Sequence, residues 1–355
     1  MPQLFDPYTI KSVTMKNRIG VSPMCQYSSE NGHASDWHLV HLGTRATGGA
    51  GMVMMEATAV SPEGRITPQD NGIYLNSHIP KLKQITDFIR SQGSVPAIQI
   101  AHAGRKASRG VPWVLEKSLK SDEGGWQIVG PSAVPFGDDY ATPHALSHDE
   151  ILKVANDFKL AAKRSLEAGF QILEIHAAHG YLIHSFLSPI SNHRIDCYGG
   201  SFDNRIRFLL EIVEAVKTEW PLNLPLFVRI SCTDWDDRGW TITDSIFLSM
   251  ELKKLGVDLV DCSSGGIAPN IKIPVKKHFQ VPLAEEIKKK ANIDTAAVGL
   301  ITEPKAANNL IYKEQADMVL LARELLRNPY WPIQAAQYLN RVEAGLIPPQ
   351  YLRGF

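Results

Sequence analysis

The sequence has no excess of either charge. Lys and Arg total 37 and Asp and Glu total 37 in 355 residues, so the formal net charge is zero. Chains that live on nucleic-acid phosphates or anionic membranes usually carry a basic surplus, and both classes are disfavoured. Cysteine is scarce. Cys25, Cys197, Cys232 and Cys262 form no C-x-x-C pair and no metal-ligand spacing. That argues against a disulfide scaffold or a structural metal site and for reduced thiols in a reducing compartment. Long apolar runs are missing too. The run from Gly51 to Met55 stops at Glu56, far short of the ~18 residues a membrane-spanning helix needs. Met1 to Asp6 show no basic stretch followed by an apolar run, so the expectation is a cytoplasmic protein without a signal peptide. No internal repeat, low-complexity tract or interdomain linker is visible, and residues 1–355 read as one domain.

What is present is a globular composition, 44% hydrophobic and 21% charged. Two kinds of apolar segment alternate. Short continuous runs look like strands buried on both faces: 19–21, 52–55, 97–100, 172–175, 226–230, 259–262, 296–298 and 318–321. Longer amphipathic segments lie between them. Leu82, Ile85, Phe88 and Ile89 recur at helical spacing within 79–92. Ser147 to Glu150 form a capping box opening a helix that runs to Ala168 and stops at Gly169. Further helices are expected at 204–219, 243–255, 283–290, 303–312 and 328–343. About eight strand–helix units in a row mean a (β/α)8 TIM barrel or a doubly wound sheet. The barrel is favoured by the unit count and by polar residues at the strand ends: Cys25, Glu56, Gln99, His176, Arg229, Ser263 and Arg323. The first strand runs into Ser22 to Cys25 rather than a G-x-G-x-x-G turn. One connection, Ala103 to Ser147 after the third barrel strand, is far longer than a barrel loop requires. Its tryptophans, Trp113 and Trp126, point to a lid or wall over the site.

Several residues suggest chemistry. His176 and His179 follow the fourth strand, three apart, just before Gly180 and Tyr181. They read as a zinc site, as structural histidines, or as paired imidazole N–H donors to a carbonyl or nitro oxygen with Tyr181 as a nearby acid. Arg229 sits inside an apolar run, so it must face an anionic or strongly accepting partner. That partner is either Glu174 on the neighbouring strand or a cofactor ring that becomes anionic when reduced. Gln99 needs partners for both ends of its amide. Gly299 and Arg323 follow the last two strands, where many barrels bind phosphate.

Taken in order, these residues resemble the old yellow enzyme family of FMN-dependent ene-reductases, and within it the thermophilic-like, YqjM-type branch. The resemblance rests on Leu4-Phe5, Lys16 to Ile19, Ser22 to Cys25, Glu56 to Val60, Gly64 to Thr67 and Gln99 to Lys106. It continues through His176 to Tyr181, Leu187 to Pro189, Asn192 to Arg194, Tyr198 to Ser201, Asn204-Arg205 and the terminal Arg353 to Phe355. No single motif is specific, but the ordered set is.

The resemblance implies a tightly bound, non-covalent FMN in the barrel mouth, with NADPH as hydride donor. Ser22, Pro23, Met24 and Cys25 would line the isoalloxazine, Ala57 and Gln99 would meet its polar edge, and Arg229 would lie near N1 and the C2 carbonyl. Ser263 and Gly265 would lie along the ribityl path, and Gly299, Ala322 and Arg323 at the phosphate. Ala322 stands where the family commonly has Gly, and its methyl could crowd a backbone phosphate contact. His176 and His179 would hold the substrate's activating oxygen and Tyr181 would be the proton donor. Cys25 would tune the flavin, and Tyr27 would approach the substrate. Arg353 would reach into a neighbouring subunit, implying a homodimer or homotetramer. The segment from Trp113 to Gln127 is longer than the branch pattern. The implied reaction is ping-pong reduction of an alkene conjugated to a carbonyl, imide or nitro group. The rival readings are a zinc-dependent barrel hydrolase using His176 and His179 and a catalytically dead flavin-binding protein. A dienoyl-CoA reductase should carry a cysteine cluster and a further nucleotide domain, and a tRNA-modifying flavin barrel a basic face.

Overall fold

A computed structural model describes residues 1–114 and 117–355. The chain opens with a hairpin, β1 (Tyr8–Ile10) and β2 (Val13–Met15). Strands β3 (Ile19–Val21), β4 (Met52–Ala59) and β5 (Val95–Ala101) follow. After the short pair β6 (Val129–Gly130) and β7 (His144–Ala145) come β8 (Ile172–Ala177), β9 (Leu226–Ser231), β10 (Leu259–Ser263), β11 (Asp294–Ala297) and β12 (Met318–Leu321). Strands β3, β4, β5, β8, β9, β10, β11 and β12 close a parallel barrel in that order, with β12 pairing back onto β3. The barrel expected from the sequence is therefore the fold.

Helices α1 (Asp36–Thr47), α2 (Ile79–Ser91), α3 (His148–Glu167), α4 (Leu182–Leu187) and α5 (Phe202–Lys217) lie along the first part of the chain. They are followed by α6 (Ile242–Lys254), α7 (Val281–Ala291), α8 (Pro304–Tyr312), α9 (Arg323–Arg327) and α10 (Trp331–Tyr338). The capping box at α3 is formed: Ser147 Oγ accepts the Glu150 N–H, and the Glu150 carboxylate accepts the Ser147 N–H at 2.7 Å. The helix expected at 328–343 is instead the shorter α10, preceded by α9. Pro329 and Pro332 explain the break, since proline belongs in a first turn and not in a helix interior. Helix α1 was not expected. It leaves Trp37 and Val40 exposed, which blurs the apolar stripe that periodicity would detect.

Two apolar layers hold the barrel. Outward residues of the strands, such as Val53, Ile98, Ile175 and Val228, pack against the helices. Inward residues, including Met52, Met54, Phe227, Leu259 and Met318, pack against Tyr8, Ile10, Val13 and Met15 of the hairpin. The hairpin thus plugs the end opposite the site. Above this plug the interior turns polar, with Gln99, Glu174, Arg229 and Asp261 on four neighbouring strands, all buried. That polar layer forms the floor of the barrel mouth.

Parts of the 103–147 excursion are anchored to the barrel mouth through described residues. Trp126 Nε1 donates to the Glu63 carbonyl at 2.9 Å, and Arg65 lies over its ring. Arg105 is buried and donates to the carbonyls of Val134, Pro135 and Ile267. Arg109 pairs with Asp139 and stacks on Tyr140. Trp113 is exposed, with its ring edge-on to Tyr27 at 5.7 Å. Within the 113–127 stretch, residues 115 and 116 lie outside the described residues.

Candidate active site

The turn after β8 carries the densest set of functional side chains. His176 Nδ1 accepts the Ala178 N–H at 3.2 Å, which assigns the proton of a neutral ring to Nε2. His176 Nε2 lies 3.4 Å from His179 Nδ1, and the rings are nearly perpendicular. His179 Nε2 lies 2.6 Å from Ser263 Oγ. Burial, and then the Arg229 charge, push both imidazoles well below the usual histidine range, so both are neutral donors at ordinary pH. The Tyr181 ring stands edge-on to His176 at 5.0 Å. Burial raises its phenol well above the usual range, so it carries its proton.

The turn itself is held tightly. His179 has φ +60° and Gly180 φ +75°. Ser231 Oγ accepts the His179 N–H, and His184 Nδ1 accepts the Gly180 N–H. His184 is paired with Asp234, whose other oxygen accepts from Ser188 and from the Trp240 N–H. Lys106 donates to the carbonyls of His179 and Gly266, joining the β8 and β10 turns. A Cβ on Gly180 would lie 2.1 Å from the Gly266 carbonyl oxygen. Gly180→Ala therefore forces two backbones apart and strains a left-handed residue. It is expected to lower stability by about 2 kcal/mol or more, read as a shift of the urea midpoint, and to misplace His179.

Arg229 has a different partner from the one its neighbouring strand suggested. Its Nε lies 3.0 Å from Asp261 on β10, while Glu174 accepts from Gln99 Nε2 at 2.8 Å. The two strands are in register, with Asp261 beside Arg229, so the pair is set by barrel topology. Ser22, at the end of β3, has a buried hydroxyl without a partner. Pro23, Met24 and Cys25 continue from it as half-buried residues. The Cys25 thiol is pushed well up by burial, with Asp70 and Glu56 adding to it, and is not a thiolate nucleophile. Ala57 sits where the β4–β5 register shifts between Met55 and Thr58, an irregularity that re-aims the strand end.

From His179 a groove of about 270 Å³ runs across the mouth past Ser263, Ser264, Gln280, Gly299, Ala322 and Arg323. Gly299 has φ +123°, a conformation only glycine adopts without strain. Ala322, with φ −105° and ψ −97°, is the residue before α9 and lines the groove beside Arg323. Arg323 is exposed at the groove's far end. Gly265 has φ +70° and accepts from Ser231 Oγ through its carbonyl. A second cavity of about 150 Å³ lies between Tyr27, Ile66, Lys106, Arg109, Tyr140 and Tyr181. Arg353 is exposed on the C-terminal turn.

The structure thus brings together His176, His179, Tyr181, Arg229 and Ser263, and aligns Gly299, Ala322 and Arg323 along one groove. It does not bring Arg353 into the lining of this chain's own groove. Sequence reading missed Asp261, Lys106, Ser231, His184, Asp234 and Asp70 as parts of the site. Among the described residues no cluster of three His, Cys, Asp or Glu side chains is arranged to hold a metal ion.

The mouth of this parallel eight-stranded barrel gathers a histidine pair, a tyrosine and an arginine, and a groove lined by His179 reaches its last two strands. Residues 3–341 match the NADH:flavin oxidoreductase / NADH oxidase family, and the chain belongs to that family. It is an oxidoreductase of the old yellow enzyme type. It is 46% identical over 355 residues to an NADPH dehydrogenase of Halalkalibacterium halodurans, with 99% of each chain covered. It is 48% identical over 340 residues to an NADPH dehydrogenase of Bacillus cytotoxicus, covering 95% of this chain and 93% of that one. Among solved structures, an old yellow enzyme homologue from Zymomonas mobilis superposes with a TM-score of 0.79 at 25% identity, covering 98% of each chain.

Proposed function

We propose that the chain is an FMN-dependent, NADPH-oxidising ene-reductase that reduces alkenes conjugated to a carbonyl, imide or nitro group. The observation that carries this reading is the joint placement of the His176–His179 pair, Tyr181 and Arg229 at the barrel mouth, with His179 also lining a groove that reaches Gly299 and Arg323. The residues present fit a flavin mononucleotide. Ser22 offers an unpartnered buried hydroxyl, Arg229 a cation beneath the mouth, and Gly299 a side-chain-free backbone in the groove, with Arg323 also lining it. When bound, FMN supplies the acceptor and donor of the hydride. Ser22 to Cys25, Ala57, Gln99, Ser263 and Gly265 orient it, and Gly299, Ala322 and Arg323 hold its phosphate.

His176 and His179 bind the activating oxygen of the alkene and stabilise the charge that develops there. Tyr181 delivers a proton to the α-carbon. Cys25 and Tyr27 line the substrate side. NADPH and the alkene use the same space in turn, which gives ping-pong kinetics. The barrel acts as one domain in the cytoplasm, and Arg353 reaches the site of a neighbouring subunit in a dimer or tetramer. No helix among the described residues is long and apolar enough to cross a membrane.

The test is the anaerobic visible spectrum of the purified protein before and after NADPH. The reading expects a yellow protein that NADPH bleaches and an enone restores. A protein that neither takes up added FMN nor oxidises NADPH rules the proposal out. The zinc-hydrolase alternative would gain from bound metal in that case.

A further inference from the structure

Two buried carboxyl groups, on β8 and β10, flank the strand that carries one guanidinium in the floor of the site. Arg229 Nε lies 3.0 Å from Asp261 Oδ2, and Asp261 accepts no well-directed hydrogen bond at either oxygen. Glu174 takes one hydrogen bond, from Gln99, and its Oε2 is buried without a partner. Both carboxyl side chains are completely buried. The groups facing Asp261 are Arg229 from β9 and Glu174 from β8, its register neighbour on β11 is Ala296, and the Cys262 thiol, next along β10, packs in the outer layer. Below this layer lie apolar side chains, Phe227, Leu259 and Met54 among them.

With both carboxyls ionised, the layer would carry a net negative charge in a site that must accept more. Two buried carboxyls this close to one cation do not both ionise freely. Burial and the Asp261 charge hold Glu174 protonated, far above the usual carboxylate range. Burial lifts Asp261 to about 6 against the pull of Arg229. One proton therefore resides on Glu174, and Asp261 is poised to take a second.

We propose that Asp261 is a positioning residue that shares Arg229 with the flavin, and that the Asp261–Glu174 pair takes up one proton from water when the flavin is reduced. The inference rests on the flavin reading above. The balance is simple. NADPH gives up a hydride and becomes NADP⁺, the ring gains one negative charge, and that charge draws Arg229 away from Asp261. The Asp261 carboxylate then binds a solvent proton, which it releases when the alkene reoxidises the ring.

The test is the two-electron midpoint potential of the FMN-loaded protein across pH 5.5 to 8.5. Each proton taken up with the electron pair changes the equilibrium tenfold per pH unit, or about 30 mV for a two-electron couple. Uptake by the ring alone gives about 30 mV per pH unit. Uptake by the carboxyl pair as well gives about 59 mV per pH unit in a window that opens above pH 6. The proposal expects the steep window in the wild type and the shallow slope throughout in Asp261→Asn. A shallow wild-type slope at every pH overturns it. So does a steep slope that survives in Asp261→Asn, which would place the proton on the ring. If Asp261→Asn does not fold, proton uptake by the wild type on reduction, followed with an indicator dye in weak buffer, replaces it. One proton beyond the ring's own supports the proposal, and none overturns it. A protein that binds no FMN at all fails the flavin reading instead, so the two failures are distinguishable.

Discussion

Tyr181→Phe is expected to slow alkene reduction by roughly 10²–10⁴-fold, the range for losing a general acid, while NADPH bleaches the flavin at the wild-type rate. The phenol stands beside the histidine pair, edge-on to His176 at 5.0 Å. It also lines the small pocket shared with Asp70, Ala57 and Ile66. Its raised pKa means that the alkaline limb of the alkene half-reaction does not start at the ordinary tyrosine value near 10. A gentler limb is expected lower down. The Asp70 carboxyl accepts from the N–H groups of Ile66 and Thr67 and from the Thr67 hydroxyl, yet burial still lifts it to about 7. Below that pH it is neutral. Above it a negative charge stands near Tyr181, holds the phenolic proton more tightly and slows the proton transfer. Alkene reduction should therefore decline modestly as pH rises through about 7, whereas flavin reduction should not share that step. Stopped-flow measurement of the two half-reactions separates them. Equal rates for Tyr181→Phe and wild type in both would remove Tyr181 from the acid's role.

Most of the barrel was legible because strands buried on both faces read as continuous apolar runs, and β3, β9 and β12 show this directly. The strand ends were legible for the same reason, since a polar residue interrupting or closing such a run has no reason to be there except chemistry. Arg229 was found this way. Asp261 carries the same signal, a charge inside an apolar run, two residues before the polar strand end at Ser263. Pairing Arg229 with Glu174 was reasonable from strand adjacency, since β8 and β9 are neighbours. The structure chooses Asp261 because it is in direct register with Arg229 on the other side, whereas Glu174 stands level with Phe227 and is engaged by Gln99. Contacts that close the site from far along the chain left no local pattern. Lys106 reaches carbonyls at 179 and 266, and His184 reaches Asp234. Such partners depend on how turns of different strands meet at the barrel mouth, which periodicity does not encode. Helix α1 was missed because its exposed Trp37 and Val40 face outward.

The second large effect is expected from removing the histidine pair. With His176→Ala and His179→Ala together, a phenol that binds above the flavin should lose on the order of 10²–10⁴-fold in affinity. Two hydrogen bonds to a charged oxygen are worth about 1.5–3 kcal/mol each, and 1.4 kcal/mol is tenfold. The geometry says why the pair acts as a clamp. His176 Nε2 and His179 Nδ1 meet at 3.4 Å, a long contact that a ligand oxygen accepting from both N–H groups would replace. His176 already has the required tautomer, because Ala178 N–H occupies Nδ1. His179 donates from Nδ1 only if its Nε2 accepts, and Ser263 Oγ at 2.6 Å supplies that proton by turning its hydroxyl. Ser263→Ala should then reproduce part of the loss without touching the ligand. The pH dependence has a definite sign. Both rings are held neutral by burial and Arg229, so acid does not convert the clamp near pH 6. The phenol is the group that titrates, and its anion gains most from two N–H donors above Arg229. Affinity should rise with pH toward the phenol's own value near 10 and level off beyond it. Titration of the ligand-induced change in the flavin spectrum reads all of these outcomes. Unchanged affinity in the double variant would show that the oxygen is held elsewhere.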